Sequence, residues 1–361
     1  MIRKIEKIET PLQDLHIVIC SFFEQMSHTG TYSEISFPDW FKEDYKGTQI
    51  HNKLQEIFNL FQELEYKSIQ KGLISIFDMN NEVERICKRD ICTTYIEKDE
   101  LKAYYDEYSP QLIDKIASLF DSLYSNYINR ESFNNRVNMT IRNHIRAFNK
   151  KNGRICVFCG LDHNMVIDGQ SRPALDHWLP KSKFPFTAIN FNNLIPACES
   201  CNEKKDAINF LSDNYSRREV GYYPYSNKDG IKSVMSFKEL PTTSEHLEAD
   251  NLEIIVSPIN PADQSLFNSW KKVFNIEIRF KSWIDEVFRD WEEEYDDYIG
   301  ADADLDHADN IKDFKYNIGK FKTKHSLKFD PAAIIYHSIC NYLLEEAEEI
   351  YLIGLYKRFN E

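Results

Sequence analysis

Four cysteines set in two pairs constrain this chain more than any other feature of its sequence. Cys156 and Cys159 make one Cys-x-x-Cys pair, and Cys198 and Cys201 make a second, 42 positions further on. Each pair forms a turn tight enough to aim both sulfurs at one point. Together they supply the four thiolates, arranged as a tetrahedron, that a structural Zn2+ ion prefers. Gly160, directly after the first pair, suits the turn of such a knuckle. Cys20, Cys87, Cys92 and Cys340 are scattered and read as buried apolar thiols.

A disulfide framework is not expected. The opening run Met1-Ile2-Arg3-Lys4-Ile5-Glu6-Lys7 starts charged and is not followed by the apolar stretch of a signal peptide. No stretch of about 18 apolar residues is present to span a membrane. A cytoplasmic protein with no membrane partner is therefore expected. Of the 361 residues, 42% are hydrophobic and 14% aromatic, which is enough for a large core and excludes wholesale disorder. The length suits two or three domains, or one small domain set in a larger scaffold.

Residues 1–135 read as a helical region. Leu54, Ile57, Phe58, Phe61 and Leu64 recur at helical spacing over 52–66. A second helix is expected from Ser109-Pro110, with Leu112, Ile116, Leu119, Phe120, Leu123 and Tyr127 on its core face. Residues 16–23 read as a buried strand or helix, and 27–48 as a loop. Residues 136–218 change character, with frequent Asn, Gly and Pro. Residues 219–361 read as an acidic, mainly helical region. Within it, Ser269 to Trp291 suits a buried helix broken near Ile276–Arg279, and 332–356 a final buried helix. Asp285 to Asp309 holds twelve acids and one Arg. Asp302, Asp304 and Asp306 there mimic the start of a calcium loop. His307 stands where the sharp turn needs Gly, and Asp313 where a bidentate Glu is wanted, so a solvated acidic loop is expected instead.

Between the cysteine pairs lies Leu175-Asp176-His177-Trp178-Leu179-Pro180, strand-like and stopped by proline. Asn192-Asn193-Leu194-Ile195-Pro196 follows, and then Cys201-Asn202-Glu203-Lys204-Lys205-Asp206 on an expected helix. This order, DH-x-x-P, then N-N-L, then C-x-x-C-N-x-x-K, resembles the HNH nucleases over residues 153–210. The resemblance implies a fold that is mainly α with a small α+β insert. That insert is a treble-clef-like ββα-metal finger, stapled by the four-cysteine zinc site, within a helical scaffold. With the changes of composition near 136 and 218, the chain divides into 1–135, a nuclease domain at 136–218, and 219–361.

The chemistry suits the residue types. Phosphodiester hydrolysis needs a base to activate water and a cation to neutralise charge on the phosphate and the leaving oxygen. His177 is the candidate base. Asp176 and Asn202 offer oxygen ligands fit for Mg2+ or Mn2+. The resemblance implies those same roles and makes Asn193 a residue that holds the loop and orients the histidine. Neighbours on a strand face opposite ways, so Asp176 and His177 suit one ligand and one base rather than two ligands. Lys205 is a candidate contact for a phosphate or the leaving group. Asp206, four positions after Asn202 and so expected on the same helix face, is a further candidate ligand. Lys181 and Lys183 are candidate phosphate contacts. His163 reads as structural, and Tyr222, Tyr223 and Tyr225 as packing rather than base-stacking residues.

The chain carries 44 Lys and Arg against 58 Asp and Glu, a net charge of -14, which excludes a protein coating nucleic acid with its whole surface. The charge is uneven. Residues 136–218 hold thirteen Lys and Arg against seven acids, a net +6, leaving -20 for the rest. Arg142 and Arg146, at i,i+4, suit a basic ridge reading the backbone and not the bases. DNA is the expected substrate because of the resemblance, with weak and salt-sensitive binding. The acidic flanks suit protein contact and loosely resemble the accessory parts of HNH subunits in bacterial anti-phage systems such as the Septu type, which work with an ATPase partner. One finger cuts one strand at a time, so double-strand cutting would need a second finger in an oligomer. The rivals are a zinc-finger nucleic-acid-binding module that no longer cuts, and a subunit inert until a partner activates it.

Overall fold

The computed structural model describes all residues except 1, 89, 91–94, 165–174, 207, 214–216, 219, 227, 238–251, 302–309 and 361. Cys92, Asp302, Asp304, Asp306 and His307 lie outside the described residues. The chain divides into two compact units, each assembled from separated stretches. One comprises Glu6–Lys151 and Met165–Ser226, the other Met1–Ile5, Asn152–Asn164 and Asn227–Glu361. The boundaries at 136 and 218 follow composition, whereas these units follow contacts in space.

The first unit runs through helices α1 (Asp14–Met26), α2 (Asp39–Tyr45), α3 (Gln49–Gln62), α4 (Lys67–Asn81), α5 (Val83–Cys87), α6 (Lys98–Tyr105), α7 (Leu112–Ser125), α8 (Glu131–Val137) and α9 (Ile141–Asn152). Strands β1 (Leu175–His177) and β2 (Leu194–Pro196) follow, then α10 (Glu199–Lys205) and the short strands β3 (Ser212–Asp213) and β4 (Arg217–Arg218). Residues 16–23 belong to α1, whose Leu15, Val18, Ile19, Phe22, Phe23 and Met26 are buried at helical spacing. In α3, Thr48 caps the N-terminus by accepting from the Ile50 N–H, and Ile50, Leu54, Ile57, Phe58 and Phe61 face the core. Helix α7 begins two residues beyond Pro110, because residues 109–112 first make a turn closed by Leu112 N–H on the Ser109 carbonyl at 3.1 Å.

The expected loop over 27–48 contains a helix. Phe37, Phe41 and Tyr45 stand at i, i+4 and i+8 and are all buried, with the Phe41 and Tyr45 rings stacked at 4.7 Å. Pro38, just before α2, fixes the entry of the chain. The Gly, Ser and Thr residues that signal a loop lie mostly before Phe37, with Gly47 and Thr48 after Tyr45, and none lies between the members of this triplet.

The core of this unit also takes in residues around β1 and β2. Leu175, Phe186, Ile189, Phe191 and Leu194 join the cluster built by α1, α3, α4 and α7. The Phe186 ring lies 5.2 Å from Phe77 and 6.0 Å from Phe120. The two short strands are thus mounted on a helical core that holds them in place.

The second unit contains an antiparallel hairpin, β5 (Ile231–Phe237) with β6 (Leu252–Pro258), then α11 (Gln264–Phe274), α12 (Ile276–Ala301), α13 (Ile311–Lys324), α14 (Ala333–Asn341) and α15 (Glu349–Asn360). The expected break after Ser269 falls at Asn275, which takes the left-handed conformation at φ 47°. The expected single helix over 332–356 is three pieces. A π-helical turn, Tyr342–Glu346, follows α14, and Ala347 is extended before α15. Glu345, Glu346, Glu348 and Glu349 interrupt the apolar period between Leu343 and Tyr351, so no continuous face exists to bury.

Gly153 has φ +85°, and a Cβ there would stand 2.4 Å from the Lys328 carbonyl oxygen. Gly153→Ala is expected to cost about 2 kcal/mol or more, from left-handed strain plus a backbone clash. Gly319, inside α13, has nothing within 4 Å of that position. Gly319→Ala should instead stabilise by up to about 1 kcal/mol. Urea melts of both variants check the pair. Equal effects of one sign would contradict it.

Candidate functional site

Asn152–Asn164 builds the first cysteine pair into a knuckle. Ile155 and His163 bridge antiparallel, and Cys156 N–H donates to the Asp162 carbonyl at 2.7 Å. Gly160 N–H donates back to the Cys156 carbonyl at 2.9 Å, at the φ of +74° that the turn requires. His163 serves this bridge through its backbone. The second pair brackets the start of α10, with Cys198 at the N-cap and Cys201 inside. The sulfurs of Cys156, Cys159, Cys198 and Cys201 all lie within 4.8 Å of one another, and all four residues are buried. Around zinc at about 2.3 Å, tetrahedral sulfurs stand roughly 3.8 Å apart. The donor set fits a zinc-type ion after a small contraction.

Strand β1 pairs antiparallel with β2, Asp176 opposite Ile195 and His177 opposite Leu194, and α10 follows β2. Asp176 and His177 are 3% and 9% exposed. His177 Nε2 lies 3.0 Å from the Ala188 carbonyl, so that nitrogen carries the proton and Nδ1 is left as the lone-pair nitrogen. Burial above all pushes its pKa down to about 3, helped by Lys205 and Lys181 and opposed by the Ala188 bond and Asp121. The ring is neutral at pH 7, the state a base needs, and an approaching phosphate raises that value.

Asn193 clasps the turn after β1. Its Oδ1 accepts from Leu179 N–H at 2.7 Å, and its Nδ2 donates to the Leu179 carbonyl at 2.9 Å and to Thr187 Oγ1 at 2.8 Å. Thr187 precedes the residue whose carbonyl holds His177. Asn202 is half-buried at the end of the first turn of α10. Asp206 ends that helix. Its N–H still reaches the Asn202 carbonyl, but φ 33° and ψ -119° take it off the helical path, and it is exposed. The shared helix face that made it a candidate ligand is therefore absent.

Lys205 is fully buried and points inward, with its ammonium 3.2 Å from Asp176 Oδ1 and also on the His177 carbonyl. It ties α10 to β1 instead of reaching out to solvent. Breaking a buried pair leaves an uncompensated charge. Lys205→Met is expected to cost about 3 kcal/mol in a urea melt, and adding Asp176→Asn should recover most of it. A single-variant cost below about 1 kcal/mol would mark the pair as effectively solvated.

Tyr124 and Asp121, both on α7, were not legible as site residues. The Tyr124 ring stands 4.3 Å from His177, edge-on, and its hydroxyl donates to the Leu175 carbonyl at 3.0 Å. Lys181 pairs with Asp121 at 2.5 Å and sits 5.4 Å over the Tyr124 ring, while Lys183 pairs with Glu97 at 3.4 Å. Nothing in the sequence announces contacts between positions this far apart. The tyrosines after α10 pack: Tyr222 is buried, and the Tyr223 and Tyr225 hydroxyls donate to the Asn192 and Leu194 carbonyls.

Among the described residues, no helix is long and apolar enough to cross a membrane. The Septu protein PtuB of Bacillus thuringiensis is similar to this chain, 37% identical over 51 residues, a stretch covering 14% of this chain and 18% of that protein. No family model matches the chain, and no solved structure matches it.

Proposed function

We propose that this chain is a metal-dependent endonuclease of the HNH type that hydrolyses DNA phosphodiester bonds. The observation that carries the reading is His177 itself. It is held on a β-hairpin that leads into a helix, with its Nε2 proton committed to a backbone carbonyl and its Nδ1 left to act as base. The roles are assigned accordingly. His177 takes the proton of the attacking water, Asn193 holds the loop that fixes His177, and Asp176 and Asn202 are the oxygen donors that would hold Mg2+ or Mn2+. Such an ion supplies charge neutralisation at the phosphate and leaving oxygen. The donor chemistry fits a hard cation, although Asp176 Oδ1 is already engaged by Lys205. Lys205 thereby positions Asp176, and Lys181 is the cation nearer to solvent for a phosphate. The four cysteines would hold structural zinc and brace the finger.

The similarity to a Septu protein supports a place in bacterial anti-phage defence. An ATPase or other protein is the partner assigned to the chain, and the cytoplasm its compartment. The acidic region after 218 is the surface assigned to that partner. A second reading is favoured by the buried Lys205–Asp176 pair, which neutralises the proposed metal carboxylate. On it, the chain binds nucleic acid or awaits a partner and does not cut alone. Plasmid incubated with purified chain and Mg2+ or Mn2+ decides between them. Nicked circles that vanish with EDTA support the nuclease. Intact plasmid with the chain, alone and with its partner, overturns it.

A further inference from the structure

Arg3 is buried, yet it has no obvious reason to be there. Its Nε and Nη2 donate to the Asn152 carbonyl at 3.1 and 3.0 Å, Nη2 also to Ile155 at 2.6 Å, and Nη1 to Leu327 at 3.1 Å. Every one of these acceptors is a neutral backbone carbonyl. Burying a guanidinium on neutral partners alone is costly, and buried cations normally sit beside an anion. Nη2 grips the carbonyl of Ile155, the residue immediately before Cys156. Burial above all pushes the Arg3 pKa down to about 10, and the sulfurs of Cys156 and Cys159 act against that shift.

The neighbouring backbone is fitted around this placement. Ile2 N–H donates to the Val157 carbonyl, inside the knuckle, at 3.0 Å. A Cβ on Gly230 would stand 2.3 Å from the Ile2 carbonyl oxygen, and one on Gly160 would stand 2.8 Å from Ile2 Cδ1. Ile2 and Arg3 thus pack so closely on Gly160 and Gly230 that neither glycine could take a side chain without something shifting. Four thiolates around one Zn2+ carry a double negative charge, which in a buried site needs a compensating cation nearby.

We propose that Arg3 is the counter-charge of the four-cysteine centre, offsetting the charge of the zinc tetrathiolate and so setting how tightly the metal is held. The proposal rests on the reading that these cysteines bind zinc. The competing account is a hydrogen-bonded peptide staple in which the charge is incidental. The two separate in the full-length chain, with zinc affinity measured by chelator competition and Co2+ absorption as the probe of thiolate coordination.

On the counter-charge account, Arg3→Gln weakens zinc binding about tenfold or more, the range for losing an outer partner of a metal site. Arg3→Lys keeps the charge, loses the planar fork, and stays within about threefold of the parent. Cys159→His removes one negative charge from the centre, and the Arg3→Gln penalty should shrink there to about threefold. A staple predicts equal losses in Arg3→Gln and Arg3→Lys, and a penalty unchanged in the Cys159→His background. Either result overturns the proposal. If Arg3→Gln does not fold, Arg3→Lys carries the test alone, since a staple requires it to lose affinity and a counter-charge requires it to keep it. A parent chain that holds no zinc would instead refute the metal reading on which the proposal rests.

Discussion

His177→Ala is expected to lower metal-dependent plasmid cleavage about 1,000-fold while leaving DNA affinity and zinc content within about twofold, the signature of losing a general base. Burial holds this imidazole neutral at pH 7, so its removal takes away no positive charge. That sets it apart from a lysine variant, which would weaken binding first. Some stability will be lost as well. The Ala188 carbonyl loses its donor, and the Tyr124 edge loses the ring 4.3 Å away. Together these cost about 1–3 kcal/mol, so the assay must run well below the melting temperature of the variant. Fluorescence anisotropy on a labelled duplex and single-turnover cleavage separate the two effects. Undiminished cutting would sink the assignment of His177 as base, and a parallel loss of binding would make it a structural residue.

The parts of the site that sequence made legible are those fixed by local chemistry. Paired cysteines announce a metal because each sulfur must reach one ion through a short turn, and DH before a proline stop announces a strand end. The parts that stayed hidden depend on what folds against what. Lys205 reads as a free cation on a short helix, and only the packing of α10 on β1 turns it inward onto Asp176. Asp206 reads as a continuation of that helix, but the chain leaves the helical path there. Tyr124 reads as one more position on an amphipathic helix, and its edge contact with His177 exists because Leu175 and Phe186 join the core that α7 helps to build. Arg3 reads as an ordinary charge near a terminus. Helix α2 was hidden for a local reason, since the loop-forming residues before it outnumber the three aromatics that bury it.

Stripping the metal should have the larger effect on the molecule as a whole. The purified chain is expected to carry about one tightly bound zinc, and Cys198→Ser should lose it along with most of the folded stability of the finger. Apparent zinc-binding free energies of about 10–16 kcal/mol in small finger peptides rival the roughly 5–15 kcal/mol net stability of a whole domain. In this chain the four sulfurs lie within 4.8 Å of one another, and Cys198 caps the helix that carries Asn202 and Lys205. Without an ion, the cysteines contribute four buried thiols with little to hold them together. The fixed position of α10, and with it the buried pair on Asp176, should go with them. The helical core around α1, α3 and α7 does not draw on the cysteines and should persist, so the melt should split into two transitions rather than shift as one. Acid should act as a chelator does. Protons compete for thiolates, so zinc affinity falls as pH falls, and release should precede general unfolding. Metal analysis, melts with and without EDTA, and hydrogen exchange over 152–164 and 194–206 check each step. A chain that contains no zinc, and whose melt ignores EDTA, would refute the four-cysteine centre. A single cooperative transition that EDTA merely shifts would show that the helical core depends on the metal as well.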